Sequence, residues 1–156
     1  MLFRSILCLL LWSTAGHAWE LIELKDEEGI YHSIEQAGEG GAFLYVTCYD
    51  KREQIDIEFP AGNMGTEDAS ILLQVDQNGE ALLAGFIDNV DRSTSIFIGL
   101  DRSGKPSVAT QKLIRQMRAG NELYFGDPDY REAIDVWPLK GFTKAHNALK
   151  KKCGIS

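Results

Sequence analysis

The sequence predicts a mostly β fold, an antiparallel β-sandwich with two short helices, the last of them C-terminal. Three observations carry that reading. Apolar and polar residues alternate at period two along most of the chain. Gly, Pro and Asn-Gly turns punctuate these runs. Only two segments switch to helical spacing.

The elements follow in order. "WELIEL" alternates, and "GIYHSIEQA" continues in the same manner. The glycines of "GEGG", Gly38 to Gly41, make a flexible turn. "AFLYVTC" is the strongest buried strand. "REQIDIEF" places Ile55, Ile57 and Phe59 on one face, and Pro60 ends it. "AGNMGTED" reads as a loop. "SILLQVDQNGEALLAGFI" reads as a hairpin whose Asn78-Gly79 turn suits positive φ. "STSIFIGLDRSGKPS" is a strand leaving through a Gly-Pro turn, and "NELYF" and "REAIDVWPL" are two more strands.

The two exceptions are helical. "SVATQKLIRQMRAG" spaces Thr110, Leu113, Ile114 and Met117 along one face, with Gly120 as the stop. "GFTKAHNALKKKCG" does the same with Phe142, Ala145, Leu149 and Cys153. Its three lysines complement the dipole in the last turn, and Gly154 closes it.

Residues 1–18 stand apart from this pattern. "MLFRSILCLLLWSTAGHA" carries one charge, Arg4, then an apolar run, then small residues at Gly16 and Ala18. That is the layout of a secretory signal peptide, and the run is far shorter than the roughly 20 residues a spanning helix needs. A single β-rich domain then occupies residues 19–156, with no later segment apolar enough to span a membrane. The whole chain has a net charge of −7, which the loss of Arg4 deepens. An acidic surface of this kind repels nucleic acid and anionic lipid. The expected location is therefore the periplasm or the outside of the cell.

Without the leader, two cysteines remain, Cys48 and Cys153. In an oxidising compartment they allow one intramolecular bridge, and Cys153 falls on the core side of the last helix. Closing so long a loop is worth about 4 to 5 kcal/mol on the chain-entropy argument. A free thiol, a metal site and a nucleophile are the alternatives. Metal is disfavoured because His32 and His146 lack ligand spacing to either cysteine, and a nucleophile needs a base that the sequence does not place.

Recognisable catalytic patterns are missing. The chain has no Gly-x-Ser-x-Gly elbow, no phosphate-cradling Gly-x-x-x-x-Gly-Lys loop and no His-Glu-x-x-His helix. Asp88/Asp91 and Asp127/Asp129 have the composition of calcium turns, but ordinary polar turns are the simpler reading. "VDQNGE" lacks the downstream glutamate of a calcium loop. His32 and His146 read as surface or internally satisfied histidines. Trp19, Trp137, Tyr45, Tyr49 and Tyr124 read as core or sheet-face aromatics. No cofactor, metal or catalytic residue is expected.

"LIRQMRAGNELYF" followed by "AIDVWPLKGFTKAHNALKKKC" gives an amphipathic helix, a strand, and a last helix ending in cysteine. This arrangement resembles the periplasmic accessory proteins of type VI secretion, the VasI/TagO-like family, and more distantly the invasion-associated locus B family. In the first of these an early strand carries a matching cysteine, as "FLYVTC" does. The resemblance implies a non-enzymatic envelope protein with a β-sandwich and carries over no catalytic residue. The expected function is that of an exported accessory or binding protein, acting through a protein–protein surface on another envelope protein and associated with a secretion system. The alternative is an exported inhibitor or immunity protein that blocks an envelope-degrading enzyme.

Overall fold

A computed structural model describes residues 18–25, 29–49, 51–60, 67–76, 81–90, 93–98, 108–126 and 133–155. Among the described residues, nine strands and two helices follow one another as β1 (Glu20–Lys25), β2 (Ile30–Ala37), β3 (Phe43–Tyr49), β4 (Arg52–Phe59), β5 (Glu67–Val75), β6 (Ala81–Val90), β7 (Ser93–Ile98), α1 (Val108–Ala119), β8 (Glu122–Gly126), β9 (Ala133–Pro138) and α2 (Phe142–Cys153). The fold is mostly β and antiparallel, and its last element is a helix, as the periodicity predicts. Residues 1–17 of the leader expected over 1–18, the turn residues 77–80, and Asp91, Asp127 and Asp129 lie outside the described residues.

Hydrogen bonds link all nine strands in the order β1-β2-β3-β4-β7-β6-β5-β8-β9. The far edge returns to the near one. Glu39 N–H donates to Val136 O at 3.0 Å, the Trp137 indole to Ala42 O at 3.2 Å, and the Trp19 indole to Pro138 O at 3.1 Å. The two limbs enclose one core and pack as a sandwich whose sheet is continuous from limb to limb.

Period-two alternation builds the core. Leu44, Val46 and Cys48 of β3 and Ile55 and Ile57 of β4 point inward and are buried. Ile71, Leu73 and Val75 of β5, Leu123 and Phe125 of β8, and Trp137 of β9 join them from the other limb. The helices pack on this inner side, α2 against β1, β2 and β3, and α1 against β4, β5 and β6. Helix α1 buries Thr110, Leu113, Ile114 and Met117, the four residues its spacing selects. Each such aliphatic side chain contributes about 1.5 to 3 kcal/mol by leaving water. Helix α2 starts after Gly141 (φ 89°) and ends at Gly154 (φ 65°), whose N–H donates to Lys150 O. Both glycines hold left-handed backbone that a side chain would strain.

Three expectations need correction, and one open alternative is decided. The loop "AGNMGTED" gives way to strand at Glu67, because Glu67 and Asp68 pair with Ile87 and Phe86. Asp88 belongs to β6, paired with Ser95, and not to a turn. The "GEGG" turn is pinned. Asp135 accepts from Gly40 N–H at 2.7 Å and from Ala42 N–H at 2.8 Å, and a Cβ on Gly38 would overlap its carboxylate. His146 takes the internally satisfied alternative rather than the surface one. It is buried, stacked on Phe142 at 5.4 Å, with Nε2 hydrogen-bonded to Glu53 Oε1. Its place in the helix brings it to the core side, one turn after Phe142.

Candidate functional site

The side of the sheet away from the helices carries what the core alternation leaves over. The strand pairings align these residues in rows. One row runs Glu20, Glu35, Tyr45, Asp56 across β1, β2, β3 and β4. The next runs Ile22, Ser33, Thr47, Gln54. Beyond it Leu24 faces Tyr31, whose ring meets Tyr49 edge-on at 6.5 Å. On the other flank Glu58 pairs with Ser95 of β7. All of these side chains but Glu20 and Ser33 line an open groove of about 420 Å³.

Hydrogen bonds fix its floor. Ser33 and Thr47 share a hydroxyl contact at 3.0 Å, and Thr47 Oγ1 donates to Asp56 Oδ2 at 3.2 Å. Gln54 Nε2 donates to the other Asp56 oxygen. The Tyr45 hydroxyl donates to Glu58 Oε2 at 3.2 Å. These four contacts set the directions of two carboxylates before anything binds.

The electrostatics follow from that crowding. Asp56 keeps an edge toward the groove mouth, but protein encloses the rest of it. Burial pushes its carboxyl up to about 7, against the opposing pull of the Gln54 and Thr47 hydrogen bonds. Glu35 is also raised, first by burial and then by Glu20 and Glu58. The Tyr45 hydroxyl is held well above its ordinary range by burial and by Glu58, Glu35 and Asp56. Burial leads all three shifts, and neighbouring carboxylates add to it at Glu35 and Tyr45. A bound cation would relieve all of them. Among the described residues, no lysine, arginine, histidine or cysteine lines the groove.

The sequence-predicted site residues lie on the opposite side of the sheet. Cys48 and Cys153 are brought together, with sulfurs at bonding distance and Cα atoms 6.3 Å apart. The pair joins β3 to α2. His32, Cys48 and Glu53 share one row under that helix, and His146 reaches down to Glu53. His146 Nδ1 has no partner among the described residues. No group of three or more metal-ligating side chains gathers among them. Trp19 and Trp137 are core, Tyr45 and Tyr49 line the groove, and Tyr124 is half-buried.

Of the groove residues, sequence reading names only Tyr45 and Tyr49, as core or sheet-face aromatics. The available signal is the alternation itself, since "EQIDIEF" sets Gln54, Asp56 and Glu58 on one face and "LYVTCY" sets Tyr45, Thr47 and Tyr49 on one face. What joins those faces is register, which the sequence does not print. Comparison with protein-family models, with curated proteins and with solved structures gave no match.

Proposed function

We propose that the chain is an exported, non-enzymatic accessory protein of a bacterial envelope, which docks another protein on the groove face of β1–β4 and β7. The observation that carries this is the row of Glu20, Glu35, Tyr45 and Asp56, walled by tyrosines and lying on a sheet face that neither helix covers. Mixed aromatic, aliphatic and charged lining is the chemistry of a recognition surface. The leader in the first eighteen residues supports export. It ends just before Trp19, whose ring packs on Phe142 at 4.8 Å and so begins the folded core. The resemblance of the second half to type VI secretion accessory proteins supports a place beside secretion machinery.

The acidic row also favours the inhibitor reading, because such a face complements a basic envelope hydrolase. One experiment addresses both. Tyr49 is 47% exposed at the groove rim, and Lys144 is exposed on α2, on the other side of the sheet. A photo-crosslinking amino acid at position 49, in cells, is expected to yield one dominant protein adduct, and the same group at position 144 none. Glu35→Lys should abolish the adduct. Identification of the adduct as a secretion component or as a hydrolase separates the two readings. Adducts only from position 144, or none from position 49, would overturn docking on this face.

A further inference from the structure

We propose that the groove seats an arginine side chain presented by the partner polypeptide, an assignment that rests on the docking reading above. Three features point to a guanidinium. Three carboxylates, Glu35, Asp56 and Glu58, border one cavity whose lining among the described residues contains no cation. Two of them are already aimed, Asp56 by Thr47 and Gln54, and Glu58 by Tyr45. Preorganised acceptors bind without the cost of ordering them. Tyr31, Tyr45 and Tyr49 supply aromatic walls, on which a planar, weakly hydrated guanidinium stacks better than an ammonium does. The aliphatic stem of an arginine has a matching surface in Ile22 and Leu24 at the β1 end. The volume, about 420 Å³, admits the side chain together with part of its backbone.

The floor makes this recognition depend on pH. Asp56 is faced by Glu35 from β2, Tyr45 and Thr47 from β3, Gln54 and Glu58 along β4, and Ser95 from β7; Glu20 stands at the outer end of its row. Arg52, on the same side of β4, lies two positions beyond Gln54, opposite Tyr49. With a carboxyl at about 7, Asp56 passes from mostly protonated at pH 6 to mostly ionised at pH 8. Arginine binding therefore strengthens over that interval, by about tenfold if Asp56 alone sets it.

The test is an amide chemical-shift titration of the exported protein with acetyl-Gly-Arg-Gly-amide and with its citrulline and lysine counterparts, at pH 6 and pH 8. The arginine peptide is expected to shift amides of β1–β4, with a Kd about tenfold lower at pH 8. Citrulline should give no saturable shift, and lysine should bind more weakly. Asp56→Asn should weaken arginine binding at pH 8 by about tenfold, the loss of one hydrogen bond to a charged group, and flatten its pH dependence. Equal binding of citrulline, shifts confined to other strands, or a pH-independent Kd would overturn the site, and equal binding of lysine would overturn the guanidinium assignment. A partner crosslinked at position 49 with no arginine-peptide binding refutes this inference and leaves docking intact. Arginine binding with no crosslinked partner refutes docking and leaves the cation site intact.

Discussion

Asp56→Asn should stabilise the fold, and should do so only above pH 4. The carboxyl moves from an ordinary 3.8 in the unfolded chain to about 7 in the folded one. Between those values the folded protein holds a proton that the unfolded chain has released, so wild-type stability falls as pH rises through this window. Above about pH 7 the loss is complete and constant. Three pKa units at about 1.36 kcal/mol each set a ceiling of about 4 kcal/mol. Water at the groove mouth screens the charge, which brings the expected gain to about 1 to 2 kcal/mol at pH 8. Asparagine keeps the packing. Its oxygen accepts from Gln54, and the Thr47 hydroxyl reverses to accept from its amide. The assay is urea denaturation of both proteins at half-unit steps from pH 4 to pH 8, read as the difference in unfolding free energy. That difference isolates Asp56 from every other titrating group. A difference that is flat across the range, or that favours wild type at pH 8, refutes the claim that burial dominates at this carboxylate.

Two further outcomes are expected. His146→Ala should cost about 2 to 4 kcal/mol in urea denaturation, since it empties a buried site beside Phe142 and strips Glu53 of its partner, whereas half-buried His32→Ala should stay within about 0.5 kcal/mol; equal effects would contradict the placement of His146. Thiol labelling of denatured, unreduced exported protein should find Cys48 and Cys153 blocked, and Cys153→Ser should lower stability by about 2 to 5 kcal/mol; two labelled thiols would refute the bridge.

Much of the fold was legible because it rests on local periodicity. Leu113, Ile114 and Met117 recur at helical spacing and cover the sheet, and Ile55 and Ile57 recur at strand spacing and enter the core. Gly154 ends α2 where a left-handed residue is needed. The errors came where a partner distant in sequence decides the outcome. "GEGG" looks loose because its restraint, Asp135, lies 95 residues away. His146, left between a surface and an internally satisfied place, is decided by the i+4 step from Phe142 that carries it onto the core face. There Glu53, 93 residues earlier, satisfies one nitrogen.

The groove was hidden for a deeper reason of the same kind. In a strand, the residues left over from the core are polar by default, so Glu35, Asp56 and Glu58 each pass for ordinary solvated positions. They become a site only through registration. Glu35 must lie opposite Tyr45, and Tyr45 opposite Asp56. A slip of one residue between β3 and β4 would send Asp56 into the core and Ile55 and Ile57 to solvent. The core therefore enforces the register, and the register assembles the carboxylates. Burial and then repulsion from Glu20 and Glu58 oppose the arrangement, and both raise the carboxyl of Glu35. Burial of Leu44, Val46, Ile55 and Ile57 on the reverse side outweighs both, at about 1.5 to 3 kcal/mol for each side chain. A sheet that spends part of its apolar stabilisation to hold like charges together lowers its own stability at that face. A cation that neutralises the face would return that energy as affinity.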